Sequence, residues 1–133
     1  MERVRQRRYP GVLGINIGKN RDTPLERAEE DYRYCLEQVY PHADYVVVNI
    51  SSPNTPRVCR DLHAAEHLDT LLATMKVEQQ RMVDGQHRYV PLVVKISPDL
   101  DEAAVRISAE RVLAHRHRWR DCDQYQPIAG RPP

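Results

Sequence analysis

Polar side chains that could bind a ligand or take part in catalysis follow three apolar runs of this sequence. Asn16 lies at the end of the first run, Asn49, Ser52 and Asn54 lie at the end of the second, and Lys95 lies near the end of the third. A lysine at such an exit needs an anion or another acceptor, because burying an unpaired charge is costly. The amides and hydroxyls could bind a ligand, or could merely satisfy the hydrogen bonds of a turn. These residue types predict a site without specifying a reaction.

The three apolar runs are predicted to be strands over residues 11–17, 45–50 and 92–96. Val46, Val47 and Val48 follow one another with no polar residue between them, which is typical of a parallel strand covered by helices. The carboxyl ends of parallel strands meet at one edge, where α/β proteins bind their ligands. We therefore expect the strands to be parallel neighbours in chain order, with the polar exits on one rim.

Helical patterns separate the strands. Thr23-Pro24-Leu25-Glu26 predicts a capping box that begins a helix running to about Tyr40. A second helix is predicted from about residue 64 to 81, with Gly85 as its breaker, and a third follows Ser97. Residues 1–10, rich in arginine, fit either the end of a surface helix or a disordered start, and we predict helix. The alternation of strands and helices favours an α/β fold.

The apolar residues of each helical pattern predict its buried face. For the first long helix the residues recur at three- and four-residue steps: Leu25, Ala28, Tyr32, Cys35, Leu36 and Val39. The second is predicted to bury Leu68, Leu71, Leu72 and Met75. The third is predicted to bury Ala104, Val105, Ile107, Val112 and Leu113. Such stripes are expected to face the sheet.

Composition sets the outer limits. The 133 residues are 29% charged, contain no Phe and have a mean hydropathy of -0.69, which predicts a thin core and either one small domain or part of a larger one. A net charge of +1 argues against a nucleic-acid binder driven by overall electrostatics. No apolar run approaches the roughly 20 residues of a membrane span. We expect a soluble, untargeted chain with its three cysteines, Cys35, Cys59 and Cys122, reduced.

Three motifs in register resemble one family. Gly14–Asn20, Asn49–Thr55 and Val94–Asp99 are similar to the middle of the dihydroorotate dehydrogenases, in their membrane-associated, quinone-reducing class, and the similarity extends over residues 11–115. The resemblance implies that residues 1–115 are about three βα units, a fragment of a (β/α)8 TIM barrel. It also implies oxidation of (S)-dihydroorotate to orotate with FMN and a quinone acceptor, in pyrimidine (UMP) biosynthesis.

The resemblance also implies roles for the polar exits. Asn16 and Lys95 would contact the flavin, Asn49 would contact both flavin and substrate, and Asn54 would bind the orotate ring. Ser52 falls on the catalytic base, which is a cysteine in the soluble class of the family. A neutral serine serves as a base only if it is desolvated and linked to a proton relay.

The expected partners are dihydroorotate or orotate and a quinone, with neither metal nor nucleic acid. The family associates with the inner membrane, on its cytoplasmic side, through an N-terminal region that has no counterpart here, so this chain itself is expected to be cytoplasmic. Residues 56–62 depart from the family, being one residue longer and lacking its glycine. Because the chain matches only part of a barrel, the alternative is a noncatalytic fragment or pseudogene product.

Residues 116–133 change character. They lose the amphipathic period, and one permitted set of codons, read one base later, encodes Gly-Ile-Asp-Gly-Val-Ile-Ala-Thr-Asn-Thr, which resembles the family's next strand. We therefore predict a frameshift at about His115 and a disordered tail. The rival interpretations are a basic nucleic-acid-binding tail and a metal site made from His115, His117 and Cys122, although these lack ligand spacing and an aromatic platform.

Overall fold

The structure, a computed structural model, describes residues 2–6, 10–51 and 65–116. The strands are β1 (Gly14–Ile17), β2 (Tyr45–Asn49) and β3 (Leu92–Lys95). The helices are α1 (Glu2–Arg5), α2 (Ala28–Val39), α3 (Ala65–Gln86) and α4 (Glu102–Arg116). A 3₁₀ turn over Leu25–Arg27 leads into α2. The order of elements confirms the predicted α/β fold.

The described strands form one parallel sheet in the order β1-β2-β3. Asn16 pairs with Val47, which pairs in turn with Val93. Two residues further towards the carboxyl ends of the strands, Asn49 pairs with Lys95. This pair lies on the same face of the sheet as Asn16. The predicted order and direction of the strands are confirmed, and each strand is shorter than predicted by one to three residues.

Within the part of the chain that the structure describes, helices cover one face of the sheet and leave the other open. On the covered face Val46, Val48 and Ile50 are at most 1% exposed, because α2 packs on β1 and β2, α3 packs beside α2, and α4 beside α3. On the open face Val93 is 47% exposed. A doubly wound sheet has helices on both faces and a reversal of strand order. One-sided cover with sequential strands is instead consistent with a sector of a barrel.

The predicted capping box at Thr23 is wrong. Pro24 occupies the N-cap of the 3₁₀ turn without a side-chain hydrogen bond, and the α-helical part begins only at Ala28. Thr23 instead lends its carbonyl oxygen to the Lys19 ammonium. The predicted buried face is confirmed, since Tyr32 and Leu36 are fully buried.

Gly85 does not break the second long helix. α3 continues through it to Gln86, and His87 then takes a left-handed conformation with φ of 52°. The backbone N–H of His87 still donates to the Val83 carbonyl at 2.7 Å. The termination is therefore a left-handed C-cap formed two residues later than the glycine. The predicted buried leucines and Met75 are confirmed, at 5% exposure or less.

The predicted buried face of α4 is largely wrong. Val105, Ile107 and Leu113 are 40%, 41% and 51% exposed, because at 100° per residue they point in different directions. Of the predicted residues, Ala104 and Val112 are partly buried, and the same side of the helix contains Ser108, at 2% exposure, and the partly buried His115.

Asp69 of α3 anchors this polar side of α4. Its carboxylate accepts a hydrogen bond from Arg111 at 2.8 Å and lies 3.1 Å from Nε2 of His115. Apolar periodicity could not find a face whose inward side chains include a serine and a histidine.

Buried polar contacts fix the N-terminal ends of the strands. Asp44, just before β2, accepts a hydrogen bond from the Leu13 N–H at 2.7 Å, and its second carboxylate oxygen lies 3.5 Å from Arg88, just before β3. The Tyr40 hydroxyl accepts from the Val90 N–H at 3.1 Å and donates to the Arg88 carbonyl at 3.1 Å. Desolvation raises the pKa of Tyr40, so its hydroxyl remains protonated. This end of the sheet is built for stability.

A hydrogen bond attaches the opposite end of β2 to α2. The Tyr32 hydroxyl donates to the Asn49 carbonyl at 2.7 Å, and the tyrosine side chain is fully buried. Because the bond crosses from the helix to the last residue of the strand, it fixes where the polar exit of β2 begins.

Several predictions lie outside the described residues. Ser52, Asn54 and the loop over residues 56–62 belong to this group, as do residues 117–133 and the cysteines Cys59 and Cys122. Burial raises the pKa of the remaining cysteine, Cys35, which is a free thiol. Among residues 2–6, 10–51 and 65–116 no helix is long and apolar enough to span a bilayer.

We expect Gly85→Ala to raise the free energy of unfolding by about 0.5–1 kcal/mol, because alanine loses less backbone entropy than glycine in a helix. A Cβ at residue 85 meets no heavy atom within 4 Å. Gly14→Ala is the control, because a Cβ there overlaps the Tyr45 ring and should destabilise the chain. Urea unfolding of the three proteins measures both effects, and stabilisation by Gly14→Ala would contradict the packing described.

Tyr32→Phe should lower the free energy of unfolding by about 1–3 kcal/mol, because it leaves a buried carbonyl without this donor. Tyr34→Phe is the matched control, since Tyr34 lies on the same helix and is 65% exposed. Equal effects of the two substitutions in urea unfolding would show that the Tyr32 hydroxyl does not hold the end of β2.

Candidate functional site

Three of the sequence-predicted side chains lie on the open face of the sheet. Asn16, Asn49 and Lys95 alternate with residues of the covered face, so their side chains project away from the helices. Asn49 and Lys95 are neighbours across β2 and β3, and Asn16 lies two residues lower on β1. The structure therefore places an ammonium group and two carboxamides on one side of the rim.

A short chain of hydrogen bonds joins Lys95 to Asn49 through Ser51. The Lys95 ammonium donates to the Ser51 hydroxyl oxygen at 3.0 Å, and the hydroxyl lies 2.7 Å from Asn49 Oδ1. The Ser51 backbone N–H also donates to Oδ1, at 3.0 Å. Ser51 is only 8% exposed, so its hydroxyl is largely shielded from water.

The partners fix the direction of each bond. A backbone N–H and an ammonium group can only donate. The Asn49 atom that faces Ser51 must therefore be the carbonyl oxygen, and the Ser51 hydroxyl must accept from Lys95 and donate to Asn49. The Asn49 amide nitrogen is consequently turned away from Ser51, and within residues 2–6, 10–51 and 65–116 it donates to no acceptor.

The resulting rim is rich in donors. Lys95 carries three ammonium protons, of which Ser51 takes one, and it carries a positive charge. Lys95 was predicted to need an acceptor, and the acceptor in the structure is the Ser51 hydroxyl rather than an anion. The side chain is nevertheless exposed, because none of the described helices covers this face. Such a surface suits a planar, acceptor-rich ligand that carries negative charge.

The loop after β1 is held to α2. The Lys19 ammonium donates to the carbonyl oxygens of Asn20, at 2.6 Å, and Thr23. The Asn20 N–H donates to the Asp31 carboxylate at 2.8 Å. The Lys19 ammonium therefore binds carbonyl groups of its own loop. Among the described residues near these strand ends, Lys95 is the cation that lies on the rim.

Ser52 and Asn54, predicted as base and substrate ligand, lie outside the described residues. The hydrogen-bonding roles of two residues near the rim were not predicted from the sequence. Ser51 lies within the Asn49–Thr55 motif but was given no role, and Tyr32 was predicted only as part of a buried helix face. The adjacent serines Ser51 and Ser52 could have drawn attention to Ser51, whereas no local pattern indicates that the Tyr32 hydroxyl donates to a strand carbonyl.

Comparison with known proteins identifies the family. The sequence model of the dihydroorotate dehydrogenase family matches residues 1–117. Dihydroorotate dehydrogenase (quinone) of Paraburkholderia xenovorans strain LB400 is 54% identical over 116 residues, covering 87% of this chain and 34% of the relative. The protein of the same name from Cupriavidus necator is 58% identical over 106 residues, covering 80% and 30%.

Solved structures show the same likeness. A dihydroorotate dehydrogenase of Eimeria tenella, crystallised in complex with ferulenol, superposes with a TM-score of 0.70 and 32% identity over 86% of this chain and 35% of that one. A ligand-free form from the same organism gives a TM-score of 0.66 and 34% identity over 85% and 34%. The chain spans about a third of the length of these relatives. Because the family model matches residues 1–117 and the relatives are 54% and 58% identical, the chain belongs to the dihydroorotate dehydrogenase family, and the curated relatives named above are of the quinone kind.

Proposed function

We propose that this chain supplies the central catalytic sector of a dihydroorotate dehydrogenase, which oxidises (S)-dihydroorotate to orotate with FMN and a quinone acceptor in pyrimidine (UMP) biosynthesis. One observation carries the proposal. In a chain of this family, Lys95, Ser51 and Asn49 form a hydrogen-bonded group at the carboxyl ends of parallel strands, on the face without helices.

The donor set fits a flavin. The Lys95 ammonium and the Asn49 amide nitrogen offer protons to the oxygen- and nitrogen-rich edge of the ring, and Asn16 adds an amide lower on the same face. A fixed cation beside the ring stabilises the negative charge that reduction brings. Bound flavin would accept the hydride that leaves the substrate and pass its electrons to the quinone.

Ser52 and Asn54 complete the proposal. Ser52 directly follows Ser51 in the sequence, which supports its assignment to the same site. We assign to Ser52 the removal of the proton from C5 of dihydroorotate, while C6 gives up its hydride. We assign to Asn54, and to Asn49 beside the flavin, hydrogen bonds to the pyrimidine ring, whose carbonyl and N–H groups match a carboxamide.

The proposal extends to the architecture and place of the whole protein. It would be a (β/α)8 barrel of which residues 1–115 form about three βα units, and it would associate with the cytoplasmic side of the inner membrane through a family N-terminal region. Residues 116–133 would arise from a changed reading frame. The end of the family match at residue 117 supports this origin.

A chimaera tests the assignment. Residues 1–115 would replace the matching third of the Paraburkholderia xenovorans enzyme. We expect the purified chimaera to be yellow with flavin and to oxidise dihydroorotate with a quinone. Ser52→Ala should abolish turnover while leaving flavin absorbance intact, because the base does not hold the cofactor. Full activity of the Ser52→Ala chimaera would contradict the role given to Ser52.

The 133-residue polypeptide assayed alone is expected to show neither tight flavin binding nor turnover, because it carries about a third of its relatives' sequence. Each charge-assisted contact that the absent segments would make is worth about 1.5–3 kcal/mol. Stoichiometric yellow flavin on this polypeptide would show that the described rim suffices.

Resequencing the gene tests the origin of residues 116–133. We expect a single-base shift near codon 115, beyond which the alternative frame encodes the strand with Thr-Asn. The proposal would be contradicted if the frame were uninterrupted and the codons, read one base later, did not encode that strand.

A further inference from the structure

We propose that Ser51 is a positioning residue, whose hydroxyl locks the Lys95 ammonium and the Asn49 carboxamide into one donor-presenting unit. The biochemical importance of that unit rests on the proposed function, but the unit itself is a property of this chain. Ser51 is distinct from its neighbour Ser52, to which the proton transfer is assigned.

The geometry separates this role from ordinary loop capping. A serine two residues after an asparagine often donates its backbone N–H to the asparagine side chain in an Asx turn, and the Ser51 N–H does so at 3.0 Å. Capping of this kind needs no hydroxyl. The Ser51 hydroxyl makes two further contacts, with Lys95 at 3.0 Å and with Asn49 Oδ1 at 2.7 Å.

The two hydroxyl contacts act together. By accepting from a cation, the hydroxyl becomes a better donor, so the bond to Asn49 Oδ1 strengthens. Oδ1 then accepts two bonds from one residue, which opposes rotation of the amide. Lys95 loses rotational freedom at the same time, because its ammonium is held by the hydroxyl of Ser51, a residue that is only 8% exposed. A flexible lysine would otherwise have to be ordered when an anion binds, at a cost in affinity.

Nuclear magnetic resonance of the 133-residue chain tests the proposal without any flavin or substrate. The sequence contains three lysines, Lys19, Lys76 and Lys95, so ammonium signals can be assigned with single Lys→Arg variants. Hydrogen bonding slows exchange of ammonium protons with water. We expect the Lys95 ammonium to exchange about tenfold faster in Ser51→Ala, and the Asn49 side-chain amide to become more mobile.

Three controls separate positioning from general loosening. Lys19 is an internal control, because its ammonium is bound to loop carbonyls and should be unaffected. Ser51→Thr keeps the hydroxyl and should preserve slow exchange. Ser108→Ala removes a more deeply buried serine hydroxyl, which has no partner among the described residues, and should change neither signal.

The proposal is overturned if Ser51→Ala leaves Lys95 exchange and Asn49 mobility unchanged, or if Ser51→Thr or Ser108→Ala speeds exchange equally. A backbone spectrum without dispersion would also overturn it, since the strand exits would not be formed. An inactive chimaera together with the expected exchange result would refute the proposed function while leaving the role of Ser51 standing.

Discussion

The burial of one face of β2 is the constraint on which the rest of the structure depends. Val46, Val48 and Ile50 are nearly inaccessible beneath the helices, and side chains alternate along a strand. Val47 and Asn49 must therefore face the open side. Parallel pairing carries the same alternation to both neighbours, so Asn16 and Lys95 face the open side as well. A slip of one residue would place the amides and the lysine under the helices, where their burial would be costly.

The polar groups at the two ends of the sheet bind different partners. At the amino ends, Asp44, Arg88 and Tyr40 bind backbone groups of the neighbouring segments, and these contacts fix strand positions. At the carboxyl ends, Lys95, Ser51 and Asn49 bind one another, and this group is the proposed flavin contact. Tyr32 joins the core to this end, because it is a buried residue whose hydroxyl donates to the Asn49 carbonyl. Preorganised donors on rigid strands are what electrostatic stabilisation of a charged ring requires.

Much of the fold could be predicted from the sequence, because strands, parallel order and the faces of α2 and α3 follow from apolar patterns. The start of α2 could not, since Thr23 matches a capping box yet bonds Lys19 through its carbonyl. Gly85 is tolerated because the penalty of one helical glycine is only about 1 kcal/mol. The face of α4 was missed because Ser108 and His115 lie inward. At the rim, types and spacing found Asn16, Asn49 and Lys95, whereas the bridging role of Ser51 is visible only in three dimensions.

We propose that the open face of this sheet holds a flavin against Lys95 and Asn49. A crystal structure of the flavin-loaded chimaera would show the contacts. We expect Lys95 Nζ and Asn49 Nδ2 within about 3.2 Å of ring acceptors, with the Ser51 hydroxyl between Lys95 and Asn49 Oδ1. A flavin bound elsewhere, or Lys95 turned away from the ring, would contradict it.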